Sequence, residues 1–283
     1  MAKVIAICNQ KGGVGKTTTA INLSVYLALS EKRVLLIDID PQGNATSGLG
    51  INKHNIKTSI YDLMIEEIEP SGVTIQTGIN NLSLIPSTIS LTGAEVELVG
   101  TMGREYRLKK ALSPILNEYD YIIIDCPPSL GLLTVNSLAA AGSVLIPVQC
   151  EYYALEGLSQ LVNTINLVKE NLNSSLSIEG VLLTMADFRT NLTSEVIKEV
   201  RSFFKGKVYE TIIPRNIRLT EAPGFGKPIE LYDKNSIGAH RYQEFMNELL
   251  GVKKDITQEI PSVNNAKTNN DNELQKISEG EIK

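Results

Sequence analysis

Short continuous apolar runs alternate with longer stretches of mixed polarity along most of the chain. Residues 4–8 form a β-branched run that ends in a Gly-rich turn. Residues 17–30, with Ile21, Val25, Leu27 and Leu29 among their apolar positions, predict a helix. Residues 33–37, 82–85, 121–124, 144–148, 181–183 and 208–213 predict further strands. These runs are continuous rather than alternating, which is the pattern of strands buried on both faces. The expected fold class is α/β: a mostly parallel, twisted sheet with helices on both faces. A last helix is predicted over 236–250, with Ile237, Tyr242, Phe245, Met246 and Leu249 turned to the core. No internal repeat is present. From residue 253 the chain becomes polar and Asn-rich with almost no apolar clustering. One domain is therefore expected over 1–252, followed by a disordered polar tail over 253–283.

Composition narrows the function classes. Of 283 residues, 27 are Lys or Arg and 32 are Asp or Glu, a net charge of −5. A chain that is basic throughout is excluded, so any nucleic-acid contact must come from a local patch. Residues 185–227 supply one candidate, with eight basic residues against five acids. The three cysteines, Cys8, Cys126 and Cys150, lie in or beside apolar runs and are expected to be buried and reduced. No apolar run approaches the ~18 residues of a membrane span. Met1-Ala2-Lys3 leads straight into the first strand without a secretory pattern, so a cytoplasmic protein is expected. His54 and His240 show no metal-ligand spacing.

The chemistry concentrates in residues 11–19, KGGVGKTTT. They follow a predicted strand and open a predicted helix, the context that a phosphate-binding loop requires. Gly12, Gly13 and Gly15 let the backbone N–H groups around Val14 close on phosphate oxygens. The helix N-terminus at Thr17 and Thr18 adds its dipole. Lys16 is placed to neutralise the β- and γ-phosphates, and the Thr17 hydroxyl to ligate Mg²⁺. The strict pattern G-x-x-x-x-G-K-[ST] fails at its first glycine, which is Gln10 here, and an additional lysine, Lys11, opens the loop. Carboxylates at the ends of neighbouring strands complete such a site. Asp125 ends the run YIIID and is the expected organiser of Mg²⁺. Asp38 and Asp40 follow residues 34–37. Asp38 is expected to support the Mg²⁺ shell and Asp40 to orient a water at the γ-phosphate of ATP. Pro41 and Pro127-Pro128 stiffen both acidic loops.

The loop KGGVGKTTT resembles the deviant Walker A motif of the ParA/MinD ATPases, a P-loop NTPase family. The runs LLIDIDPQGNAT, YIIIDCPPSLGLLT, IPVQCEYYALEGL and IPRNIRLTEAPGFGKPI resemble the chromosome-partitioning ParA (Soj) branch. The likeness extends from residue 2 to about 250 and is nearly gapless. It implies a slow, partner-stimulated ATP hydrolase that forms an ATP-sandwich homodimer. Lys11 would reach across that dimer to the partner's ATP, and Gly12 would pack against the partner's loop. Pro214 and Asn216, in the segment Pro214-Arg215-Asn216, would lie beside the adenine, and Asp40 would support attack by water. Arg189 in DFRTNL and Arg218 in IPRNIRLTEAP match positions implicated in DNA contact. The implied partners are non-specific double-stranded DNA and a ParB-type centromere-binding protein, which places the chain on the nucleoid.

Two alternatives belong to other classes. A MinD-like membrane-associated positioning ATPase needs a C-terminal amphipathic helix with a basic face. Residues 253–283 instead carry five Lys and six acids, a poor match to an anionic membrane. A reductase-type relative needs paired cysteines at a dimer axis, and DCPPSLG offers only Cys126. The loop begins at residue 11, which leaves no room for a preceding helix-turn-helix. DNA is therefore expected to be held through its phosphates, independent of sequence.

Overall fold

The computed structural model describes residues 1–151 and 156–252, so the polar tail expected at 253–283 lies outside the described residues. Among the described residues the strands are β1 (Lys3–Ile7), β2 (Val34–Asp38), β3 (Ile75–Gln76), β4 (Leu82–Ile85), β5 (Tyr121–Asp125), β6 (Ser143–Gln149) and β7 (Ser177–Thr184). They form one sheet in the order β3-β4-β2-β5-β1-β6-β7. Every pairing is parallel except that of β3 with β4.

Alternate residues of each central strand feed two separate cores. Val4, Ala6 and Cys8 join Leu35, Ile37, Ile122 and Ile124 on one face. Ile5 and Ile7 join Val34, Leu36 and Ile123 on the other, beneath helix α1 (Lys16–Leu29) and the helix Ile237–Leu249. Because both faces are covered, neither set of alternating positions can be polar, which explains the continuous apolar runs.

Two expectations need correction. Residues 208–213 are not a strand. They run beside β7 and form isolated bridges, Val181 with Val208 and Ala186 with Pro214. Between these bridges the backbone N–H groups of Glu210 and Thr211 donate to the Glu248 carboxylate instead, at 2.7 and 2.9 Å. The N–H groups of Tyr209 and Ile213 still donate to the Val181 and Leu183 carbonyls of β7, so the pairing is interrupted rather than absent. That helix buries Tyr242, Phe245 and Met246 as expected, but Ile237 is 46% exposed at its first turn.

The register sets up the site. Ile7 pairs with Asp125, and Asp38 pairs with Asp125 from the other side. The phosphate loop, Asp38 and Asp125 therefore leave three adjacent central strands at the same level. This is the carboxyl edge, where open α/β sheets bind ligands.

Candidate functional site

The loop after β1 is built as an open cradle. Gly15, the N-cap of α1, has φ +89°, and Gly13 has φ +74°. These left-handed conformations favour glycine and turn successive N–H groups inward. The cradle is braced from distant parts of the chain. Asn9 is buried; its Nδ2 donates to the Pro147 carbonyl at 2.7 Å and its Oδ1 accepts from Lys11 N–H. The Thr184 hydroxyl, at the end of β7, donates to the Val14 carbonyl at 2.8 Å. Gln10, where a strict motif has glycine, uses its amide to hold the Gly157 carbonyl.

Lys16 is nearly buried, and its Nζ donates to the Lys11 carbonyl at 3.0 Å, closing the loop over itself. Burial lowers its pKa, opposed chiefly by the charge of Asp125. Asp125 is completely buried, and neither of its oxygens accepts a hydrogen bond. The Thr17 hydroxyl stands close enough to lower its pKa without reaching normal hydrogen-bond geometry. Burial, followed by the neighbouring charge of Asp38, nevertheless holds the Asp125 pKa well above the usual carboxylate range.

Asp38 is held by the segment that follows it. Its Oδ2 accepts from both the backbone N–H and the hydroxyl of Thr46, at 2.8 and 2.7 Å. Its Oδ1 accepts from Asp40 N–H at 3.2 Å. Both oxygens accept from protein donors, so Asp38 braces the loop that carries Asp40. Burial pushes its pKa up to about 6 against those hydrogen bonds. The Thr46 hydroxyl in turn accepts from Ser87 N–H at 3.0 Å, linking this loop to the exit of β4. Gly43 in the same loop has φ +60°, and a Cβ there would come within 2.9 Å of the Ser87 carbonyl oxygen.

These pieces border one cleft of about 640 Å³. Gly12, Gly13, Gly15, Lys16, Thr17, Thr18 and Asp40 line one side, and Pro214, Arg215 and Asn216 the other. The structure thus brings the phosphate loop together with the segment expected beside a base. Asn216 caps the helix Ile217–Glu221 through its Oδ1, which fixes the segment's exit. Among the described residues, none apart from its chain neighbours lies within 4 Å of where a Cβ on Gly12 would sit. Lys11 does not line the cleft; its Nζ lies 3.9 Å from Glu151, which also accepts from Arg215 at 3.2 Å.

Arg189 and Arg218 lie outside the cleft, Arg189 on the loop after Ala186 and Arg218 in the helix Ile217–Glu221 that follows Pro214; the Ala186–Pro214 bridge holds these two segments side by side. Each is already ion-paired. Arg189 forks onto Asp187 at 2.8 and 2.6 Å, and Arg218 meets Glu221 at 3.0 Å and Asp233 at 3.3 Å. Arg189 holds the Asp187 carboxyl down at about 2. All three cysteines are buried and free of disulfide bonds. Among the described residues no helix is long and apolar enough to cross a membrane. Sequence reading missed Asn9, Thr46 and Thr184, whose roles depend on strand register rather than on a local motif.

A family model described as an AAA domain matches residues 2–178. The sporulation initiation inhibitor protein Soj of Bacillus subtilis (strain 168) is 61% identical over 249 residues, covering 88% of this chain and 98% of its own. The chromosome partitioning protein ParA of Myxococcus xanthus is 58% identical over 250 residues, covering 88% of each chain. Among solved structures, cobyrinic acid a,c-diamide synthase from Mycobacterium smegmatis, with a bound ATP analog and magnesium, superimposes with a TM-score of 0.78. It is 38% identical, over 88% of this chain and 95% of its own.

Proposed function

The chain belongs to the Soj/ParA family of chromosome-partitioning proteins, and from its site we propose that it is a slow ATP hydrolase whose ATP-bound homodimer holds double-stranded DNA non-specifically and releases it on activation by a ParB-type partner. The observation that carries the nucleotide part is Asp125. A carboxylate with no exposed surface and no hydrogen bond is costly to bury. It makes sense where a cation completes it, and Thr17 supplies a hydroxyl beside it. Thr17 and Asp125 are accordingly the residues that would hold Mg²⁺, directly or through its water. When bound, the ion would neutralise charge on the β- and γ-phosphates.

The chain's own groups supply the rest. The N–H groups of residues 12–17 and the α1 dipole bind the phosphates. Lys16 must exchange the Lys11 carbonyl for phosphate oxygen, a short swing of a side chain already in place. Pro214 and Asn216 flank the base. Asp40, held by the Asp38 brace, lines the cleft and orients the attacking water. Lys11 is outside its own cradle and half-exposed beside Glu151, and Gly12 faces open space. Both fit a second protomer approaching this edge, with the phosphates of its ATP as a stronger anion for Lys11 than the distant Glu151 carboxylate. The DNA part rests on Arg189 and Arg218, in a locally basic segment of an acidic chain. On this reading the protein is cytoplasmic and nucleoid-associated.

The test is retention of the protein on random-sequence DNA and on anionic vesicles, each with ATP and with ADP. Binding to DNA with ATP only is expected. Equal binding with both nucleotides, or ATP-dependent binding to vesicles instead of DNA, would overturn the reading. The last helix argues against vesicles, since Tyr242, Phe245 and Met246 are consumed by the core.

A further inference from the structure

Cys8 and Cys126 have no part in the proposed chemistry, yet they sit immediately beside it. Cys8 follows Ile7 at the end of β1, and Cys126 follows Asp125 at the end of β5; Ile7 and Asp125 are register partners. The two Sγ atoms are 2.8 Å apart, well inside ordinary sulfur packing contact, and both residues are 1% exposed. Cys150, also buried and free, has no such partner among the described contacts.

We propose that Cys8 and Cys126 form a reversible dithiol–disulfide site beneath the phosphate loop, through which oxidation by a hydroperoxide disables the nucleotide site. The geometry is close to a bond already. Adjacent strands lie ~4.8 Å apart, within the Cα separations of natural disulfides, and an S–S bond is about 2.05 Å long. The sulfurs need close by only about 0.8 Å. One sulfur attacks the distal oxygen of the hydroperoxide. The O–O bond breaks, an alcohol (water, for hydrogen peroxide) leaves, and a sulfenic acid remains. The second thiol attacks that sulfur, the S–S bond forms, and the sulfenic oxygen leaves as water. The two thiols are oxidised by two electrons and the hydroperoxide is reduced by two. A small thiol reverses the bond by exchange.

The bond would pull on two functional attachments. Cys8 leads into Asn9, which fixes Lys11 N–H and Pro147. Cys126 follows Asp125 directly and precedes the stiff Pro127-Pro128. A displacement of ~1 Å at such a site costs on the order of 10²-fold in rate. This coupling rests on the ATP reading above, whereas the bond itself does not.

The experiment treats the folded full-length chain with hydrogen peroxide, then counts thiols after unfolding and maps peptides by mass spectrometry. Free thiols should fall from three to one, with a Cys8–Cys126 linked peptide that dithiothreitol removes. ATP turnover should fall about tenfold or more and recover with dithiothreitol. Cys8→Ala and Cys126→Ala should each abolish the linked peptide and the reversible loss, so failure of one variant to fold leaves the other. An unchanged count of three, a link that involves Cys150, or a linked protein with undiminished turnover would overturn the proposal. Should the reduced protein bind no nucleotide, the function proposed above fails, while the thiol count still decides the bond.

Discussion

Asp125→Asn should make the nucleotide-free protein more stable while abolishing its response to Mg-ATP. Around Asp125 the structure places three carboxylates, with Asp38 and Asp40, against the single ammonium of Lys16. With neighbouring strands ~4.8 Å apart, two carboxylates at ~5 Å and an effective dielectric of ~20 repel by about 3 kcal/mol. Lys16 returns an attraction of the same order. What remains uncompensated is the desolvation of a carboxylate that accepts no hydrogen bond, several kcal/mol before relaxation. Asparagine removes that charge at constant shape and offers an N–H towards Asp38. After allowance for the weakened support of Lys16, a gain of about 1–3 kcal/mol is expected, or roughly 2–10 °C in Tm for a domain of this size. Calorimetry with EDTA and no nucleotide measures it. The pH dependence carries a definite sign. Burial raises the folded-state pKa of Asp125, and that of Asp38 to about 6. Below the ordinary carboxylate value of about 3.9 both folded and unfolded states are protonated, and burial carries no penalty. The penalty grows as pH rises through the folded value. The variant's advantage should therefore be greatest above the raised folded-state value of Asp125 and shrink as pH falls towards the ordinary carboxylate value of about 3.9. Mg-ATP at a hundred times its Kd should add about 2.7 kcal/mol to the wild type and little to the variant. A variant less stable than wild type without nucleotide, or one stabilised by Mg-ATP as much as wild type, would refute the reasoning.

Gly12→Val should leave ATP binding nearly intact and abolish ATP-dependent dimerisation in light scattering, because a Cβ at Gly12 meets nothing among the described residues; a dimer of normal affinity would remove the sandwich arrangement. Asp40→Ala should bind Mg-ATP but hydrolyse it about 10²–10⁴-fold more slowly, accumulating as a dimer that no activator dissociates. Arg189→Ala and Arg218→Ala should each flatten the dependence of log K on log salt for random DNA by nearly two, since each removes one phosphate contact per protomer at ~0.9 per phosphate; an unchanged slope in both excludes them from the interface. Arg189→Ala should also return the Asp187 pKa from about 2 towards the ordinary carboxylate value, as read by carboxyl NMR titration. The stabilisation Asp187 gains from that pair is present above about pH 4 and lost as pH falls towards 2.

What was legible in the sequence was local. Glycines at fixed offsets from Lys16, a strand before them and a helix after them define the cradle within a dozen residues. Asp125 and Asp38 could be placed because each terminates an apolar run. The missed features depend on register between distant segments. The Thr184 hydroxyl reaches Val14 across 170 positions, and Asn9 reaches Pro147 across 138; nothing local marks either. Asp38 shows the same limit in another form. Its type and position suit a metal shell, and nothing local marks the Thr46 and Asp40 donors that make it a brace as well. The two-residue β3 is too short to leave a periodic signal. Residues 208–213 are apolar enough for a strand and keep two bonds to β7, but Glu248, 37 positions after Thr211, claims the N–H groups of Glu210 and Thr211 between them.

The unsatisfied charge and the brace act together. Asp38 ties the end of β2 to Thr46, and Thr46 ties that loop to Ser87 beyond β4. The same Asp38 presses its charge on Asp125. Whatever neutralises Asp125 therefore also eases Asp38, and Asp38 carries the loop on which Asp40 sits. On the proposed reading, occupation of the phosphate site and the position of Asp40 are linked through one buried carboxylate. The arginines follow a parallel logic. Arg189 and Arg218 are each neutralised by the protein's own acids, so a DNA phosphate must displace a carboxylate at each one. On the proposed reading the net gain per contact is small, and a single protomer with two such contacts would hold DNA poorly. A dimer presents four. Affinity would then be governed by assembly rather than by the strength of any one contact, and a slow hydrolysis step that undoes the assembly would be sufficient to release the DNA.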